Sequence, residues 1–322
     1  MTYLRSLVAL AALVAATAVG AQDYPTRAVR MIVPWTPGGG ADTVARLIAA
    51  KLTEAWGQPV VIENKGGATG TVGTDLVAKS TPDGYTLVLG TNSTYVIAIS
   101  MYNKLPYDPE KDLTPISKVA EVPHILNVNA ALPVNNVAEL LALVKAKPGE
   151  IAFGSSGSGS TPHVAGEIFM NLTGTKLLHV PYKGSGQSLA DTVAGNVQVS
   201  FDTLPSVLPF VQAGRLRPLA VLGPKRVSAL PNLPTSAEAG VPGAEGVTWF
   251  GLYGPAHMPP AIVKKIHDEV ARIVKLPDVK AKLETFGATE TADVPSDEFA
   301  ASVKVDIVKY SKILQAAGMQ KE

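Results

Sequence analysis

Two glycine-rich segments carry the residues best suited to holding an anion. Val33-Pro34-Trp35-Thr36-Pro37-Gly38-Gly39-Gly40-Ala41-Asp42 follows the apolar pair Met31-Ile32. Phe153-Gly154-Ser155-Ser156-Gly157-Ser158-Gly159-Ser160-Thr161-Pro162-His163 follows Ile151-Ala152. Each joins a predicted strand to a predicted helix. Such a loop aims unpaired backbone N–H groups and the positive end of a helix dipole at one point. It binds an anion without a charged side chain. Glycine also serves a plain tight turn, but two equivalent loops bearing Ser or Thr favour anion binding. Neither segment is a G-x-G-x-x-G with its partner Asp, and neither contains Gly-Lys-Ser/Thr, so dinucleotide and P-loop chemistry fail on spacing.

Ligands of open α/β sheets bind at the carboxyl ends of strands. Beyond the two loops, the predicted strand ends carry Thr69-Gly70, Thr91-Asn92-Ser93, Tyr182-Lys183-Gly184 and Asp202. These are hydroxyls, amides and glycine backbone with one Lys and one Asp: many hydrogen-bonding groups for a small polar ligand, few for acid–base work. Asp42 opens a helix and is expected to cap it, holding the loop for a ligand it does not touch. His163 and Lys183 are either ligand contacts or ordinary helix-start and solvated residues; Trp35 is either core or a lid. The histidines at 124, 163, 179, 257 and 267 form no metal-ligand spacing. Ser155, Ser156 and Ser158 make no G-x-S-x-G, and Asp202 lacks the second carboxylate of a glycosidase.

The elements that position these groups alternate in α/β fashion. Strands are expected over 28–33, 59–62, 85–90, 116–119 and 125–128, then over 151–153, 177–180, 197–201, 217–222 and 248–253. A helix over 42–56 places Val44, Leu47, Ile48, Leu52 and Ala55 on one face. Further helices are expected to about 78, over 137–147 and 163–172, to 194, and over 204–213. Pro259-Pro260 opens a helix with Ile262, Val263, Ile266, Val270 and Ile273 inward. Ser296 is expected to cap the last helix, whose Phe299, Val303, Ile307, Tyr310 and Leu314 share a face.

The chain has 322 residues, enough for two domains of ordinary size. Arg5 followed by the apolar run 7–19 and Val19-Gly20-Ala21 reads as a signal peptide cut after Ala21, with the mature chain exported and soluble. With no Cys, a lipid anchor, disulfides and thiolate metal sites are excluded. The formal charge of +1 and the lack of any basic stripe exclude nucleic acid and anionic membranes as partners.

The motifs in order resemble the extracytoplasmic solute receptors of tripartite tricarboxylate transporters, the Bug family. The matching segments are Tyr24-Pro25, the 33–39 loop with Asp42 through Arg46, Val61-Ile62-Glu63-Asn64-Lys65, Gly70 and Gly73, and Pro82-Asp83-Gly84-Tyr85-Thr86. They continue with Gly154 through His163, Val180-Pro181-Tyr182-Lys183-Gly184, Leu233-Pro234-Thr235 with Glu238-Ala239-Gly240, and Trp249-Phe250-Gly251-Leu252. The resemblance implies a two-lobed periplasmic-binding-protein-like α/β fold of class II, each lobe a mixed sheet flanked by helices, with two crossover hinge strands near His124 and Val247. Lobe 1 would be 22–123 with 247–322, and lobe 2 would be 124–246.

In the family the two loops act as pincers on a carboxylate, partly through water. That carries onto Pro37, Gly38 and Gly39 on one side and Ser155, Gly157 and Thr161 on the other. Trp35, Thr69, Asn92, His163, Lys183 and Asp202 complete the expected ligand set. Pro162 departs from the family's second loop and removes one N–H. The implied protein is a monomeric periplasmic receptor with no cofactor and no catalysis, which closes on a small organic carboxylate and is recognised by a membrane permease. Two other functions fit the sequence: a co-receptor for signalling, and an exported hydrolase using a loop Ser with His163.

Overall fold

Strand β4 (Leu113–Asn129) belongs to two sheets. Its first part pairs antiparallel with β9 (Val247–Pro255), from Leu113 opposite Pro255 to Pro123 opposite Val247. From His124 onward it runs between β7 (Val199–Thr203) and β8 (Leu216–Leu222). The two short strands expected over 116–119 and 125–128 are therefore one element of 17 residues. Pro115, Lys118, Glu121 and Pro123 interrupt its apolar pattern, and the continuous pairing with β9 carries the strand through them. Pro123 stands where the ladder changes partners, a place where a missing N–H costs least. The chain returns beside this point: the His124 N–H donates to the Gly246 carbonyl at 2.9 Å, and the Gly246 N–H to that of Leu222 at 3.0 Å.

The computed structural model describes residues 24–288, 290–291, 294–319 and 321; the expected cleavage after Ala21 lies outside them. The first sheet runs β2 (Val60–Asn64), β1 (Val29–Val33), β3 (Thr86–Thr91), β9, β4, with β10 (Glu290–Thr291) on the far edge of β4. β1 is parallel to β2 and β3, and β9 turns antiparallel. The second runs β8, β4, β7, β5 (Ala152–Ser155), β6 (Leu178–Pro181), with β5 parallel to both neighbours. β3 is buried along its whole length, as expected for a strand covered on both faces.

Helices cover both faces of each sheet. α1 (Gly40–Trp56) buries Val44, Ile48 and Leu52 at four-residue spacing and stops at Gly57, whose φ of 63° only glycine adopts freely. α2 (Thr71–Ala78) follows β2, and α3 (Ala98–Met101) continues a π-type turn over Ser93–Ile97. α4 (Val137–Ala146) and α5 (Thr161–Thr173) cover one face of the second sheet; α6 (Ser185–Ala194) and α7 (Leu204–Gln212) cover the other. α8 (Pro260–Val274) buries Ile262, Ile266, Val270 and Ile273 beside α1. Each such side chain contributes roughly 1.5–3 kcal/mol by leaving water. α9 (Pro277–Thr285), absent from the sequence expectation, buries only Val279 and Leu283. α10 (Ser296–Ala316) seals the opposite face with Phe299, Tyr310 and Leu314. Its cap is Pro295; the Ser296 hydroxyl instead donates to the Ile116 carbonyl at 2.7 Å, tying the helix to β4.

Candidate functional site

Four helices begin at one small cavity between the sheets. The first turn of α1 (Gly40, Ala41, Asp42), Thr161 and Pro162 of α5, Ser185 of α6 and the α7 cap Thr203 all line it. Ser93, Thr248 and Phe250 close the remaining wall. Its volume is about 30 Å³, room for roughly two water molecules. Among the described residues no Lys, Arg or His lines it. Each helix start carries about half a positive charge on N–H groups without intrahelical partners. A small anion is what such an arrangement accommodates.

The first glycine loop is fixed from its own helix. The Asp42 carboxylate accepts from the Gly38 N–H at 3.1 Å, from Arg46 at 2.9 and 3.0 Å, and from Asn64 Nδ2 at 3.0 Å. Asn64 also donates to the Trp35 carbonyl at 3.1 Å. Burial pushes the Asp42 carboxyl up, but Arg46, the Gly38 N–H and Asn64 outweigh it and hold it below its ordinary value. Gly38 has φ +87°, and a Cβ on Gly40 would collide with Thr203 Oγ1 of the other lobe. Glycine here serves both the turn and the close approach.

The second loop is held by hydroxyls and imidazoles. Ser155 Oγ contacts His179 Nε2 at 2.7 Å and accepts the Gly157 N–H at 3.1 Å. Ser160 caps α5, accepting from the His163 N–H. His163 Nδ1 accepts the Gly159 N–H at 3.0 Å, and its ring stacks on His179 at 3.8 Å. Burial, then the neighbouring His163, drives the His179 imidazole down to about 3.

Hydrogen bonds cross between the lobes. The Thr161 N–H donates to Ser93 Oγ at 3.1 Å, and Thr161 Oγ1 meets Thr248 Oγ1 at 2.6 Å. Thr248 Oγ1 reaches His124 Nε2 at 2.7 Å, linking the site to the sheet-changing point of β4. Burial lowers the His124 imidazole to about 3, so this link is neutral. Further out, Thr69 donates to the Ser158 carbonyl at 2.6 Å and accepts from the Tyr102 hydroxyl at 3.0 Å. A Cβ on Gly186 would strike the Pro37 carbonyl. The molecule is in a closed form.

Of the residues expected to bind ligand, Trp35, Gly39, Thr161 and Asp202 line the cavity. Thr69, Gly157 and Lys183 line a separate outer groove of about 570 Å³, with Lys183 exposed. Pro37 and Gly38 are exposed shoulders of the first loop beside α6. The remaining three line neither the cavity nor the outer groove. Asn92 turns its amide to the Val247 carbonyl and the Tyr310 hydroxyl, at 3.1 and 2.9 Å. Ser155 and His163 are spent on the loop's own backbone.

Thr91 and Ser93, named only as part of the strand-end set, line the cavity in place of Asn92, and Ser185, Thr203 and Thr248 were not expected. Thr91 and Ser93 flank Asn92 at a strand end already marked as binding; the local turn, invisible in the sequence, decides which of the three faces inward. The starts of α6 and α7 carried a signal, since each follows a strand.

The pairing of Ser155 with His179 in place of His163 also bears on hydrolysis. That hydroxyl is fully buried, bonded to Gly157 and outside the cavity, so it has no access to a substrate carbonyl. Among the described residues no cluster could hold a metal ion, and no helix is long and apolar enough to cross a membrane.

Two sheets sharing strand β4, with a second chain crossing beside it at Gly246 and a helix-capped cavity between them, define a two-lobed solute-binding fold of the periplasmic type. The chain belongs to the tripartite tricarboxylate transporter family receptors, whose family model matches residues 44–319. It is 36% identical to Protein BugT of Bordetella pertussis over 304 residues, 94% of this chain and 93% of BugT. Rpa4515 of R. palustris, solved with adipate, superposes with a TM-score of 0.90 at 39% identity, covering 93% of this chain and all of that one. MatC of Rhodopseudomonas palustris, solved with malate, gives 0.84 at 31% identity, covering 90% of this chain and all of MatC.

Proposed function

We propose that the chain is a periplasmic receptor that captures a small organic carboxylate between its lobes and delivers it to a tripartite tricarboxylate-type membrane permease. The observation that carries this is the cavity framed by four helix starts with no cationic side chain on its wall. Family membership, and the adipate and malate held by two structural neighbours, support the ligand class.

The lobes are 24–123 with 247–319, and 124–246. They move about Pro123/His124 and Gly246/Val247, where both chain crossings change sheet. Ligand bridging both lobes stabilises the closed state, which the permease recognises. No bond is made or broken in the ligand. The test is thermal unfolding of the chain, refolded from denaturant to strip carried ligand, against mono-, di- and tricarboxylates. A ligand at 100 times its Kd adds about 2.7 kcal/mol. An upward shift with a carboxylate class supports capture; no shift with any carboxylate overturns it.

A further inference from the structure

Asp202 is the unexplained group of this site. It lines the cavity and is 2% exposed. Its Oδ1 accepts the Thr203 N–H at 2.7 Å, while its Oδ2 is buried without a hydrogen-bond partner. A buried polar atom left unpaired is costly and calls for a partner. The other titratable group on the cavity wall, Asp42, is neutralised by Arg46; Asp202 has no cation against it.

Resting on the receptor reading, we propose that Asp202 sets the ligand class. Its Oδ2 takes a hydrogen bond from a hydroxyl or amine on the carbon next to the captured carboxylate, so the receptor selects 2-hydroxy- or 2-amino-carboxylates. Two features force the donor to that position. The cavity is only about 30 Å³, so the group meeting Asp202 lies within a bond or two of the carboxylate held by the helix starts. The four helix starts supply roughly two positive charges in sum. Asp202 and one ligand carboxylate use both, so two carboxylates meet at close quarters with no charge to spare. A donor between them relieves that repulsion; a bare methylene does not. Burial already raises the Asp202 carboxyl above its ordinary value, with Ser185, Thr203 and Ser206 opposing. An ammonium or hydroxyl on the ligand adds to that opposition.

The experiment is calorimetric titration of the full chain with matched pairs: malate against succinate, lactate against propionate, with adipate as a long unsubstituted acid. The expected result is tighter binding of the 2-substituted member by roughly 10- to 100-fold, and collapse of that ratio in Asp202→Asn. The wild-type ratio needs no variant and stands even if Asp202→Asn fails to fold. Equal affinities within each pair overturn the proposal while leaving carboxylate capture intact. So do unsubstituted acids that match their 2-substituted partners and bind more tightly as pH falls, which means Asp202 carries the proton itself. A ratio that survives Asp202→Asn removes the assignment to this residue. Failure of every carboxylate to bind overturns the receptor reading and the proposal together.

Discussion

The loop over 34–42 and the loop over 154–163 bring similar glycine-rich turns to one cavity, yet opposite chemistries hold them. The first is braced by a nearly buried carboxylate shared among a guanidinium, an amide and a backbone N–H. The second is braced by two stacked imidazoles and serine hydroxyls. The difference follows from what lies behind each loop. Arg46 of α1 is half in water and keeps its charge at little cost, so Asp42 can be ionised beneath it. His179 stacks on His163 and on Phe153, and burial there drives its imidazole down to about 3. Two ways of fixing a turn thus give one geometry, the first through an ionised carboxylate and the second through hydroxyls and stacked rings.

The largest effect is expected from keeping both braces and preventing the first loop from reaching the start of α6. Gly186→Ala places a methyl against the Pro37 carbonyl, across the contact between the lobes. Overpacking of this kind costs about 1–3 kcal/mol, so carboxylate affinity falls roughly 10- to 100-fold by titration calorimetry. The unliganded Tm holds or rises, because Ala favours the helix over Gly. An unchanged affinity would show that ligand capture does not require the first loop to pack against α6.

Breaking the charged brace ranks next. Asp42→Ala strips the acceptor from Gly38, Arg46 and Asn64, and hydrogen bonds to a charged group contribute about 1.5–3 kcal/mol. Urea denaturation should show a loss of about 2–3 kcal/mol on that scale. Ser155→Ala on the neutral side should cost only about 1 kcal/mol. Equal losses at the two positions would erase the distinction.

Acid separates the braces by pH. Burial, first of all, lowers His124 and His179 to about 3, so the unfolded chain binds more protons below its own histidine pKa of about 6.5. Their contribution to stability is complete above that value and is lost progressively as pH falls toward 3. Asp42 is also depressed; its contribution is present above the unfolded carboxyl value of about 3.9 and is lost only below it. Asp202 is raised, so it has the opposite sign, with stability lost as pH climbs through its folded value. Urea titrations from pH 7 to 4 should therefore show a decline that His179→Gln reduces and Asp42→Asn does not. Asp202→Asn should raise stability at pH 7. The smallest effect is at Lys183→Ala: this side chain lies exposed on the outer groove, and its removal should change carboxylate affinity by less than about 1 kcal/mol.

Legibility followed locality. Asp42 at the start of an amphipathic helix reads as its cap from the sequence alone; in the structure Gly39 takes the cap position, and Asp42 instead holds the loop through Gly38 and Arg46, each four residues away, with Asn64 of β2 added by the fold. His163 at a helix start reads equally well as a ligand contact, and only the stacking of His179 from the neighbouring strand directs it inward. Asn92 shows the same limit. Its strand end was identifiable, but its amide faces Tyr310, more than two hundred residues away. Ser185, Thr203 and Thr248 enter the cavity because three distant elements converge there.

The sequence by itself determined the alternating α/β elements, the two glycine turns and the family, because each rests on periodicity and on motifs a few residues long. Tertiary structure alone decided that β4 is one strand shared by two sheets, that four helix starts and not two meet at the cavity, and that Asp202 Oδ2 is left unpaired there. The physical reason is that helix and turn propensities act over a few neighbours. Burial, charge compensation and the direction a side chain faces depend on which remote surfaces are packed against it.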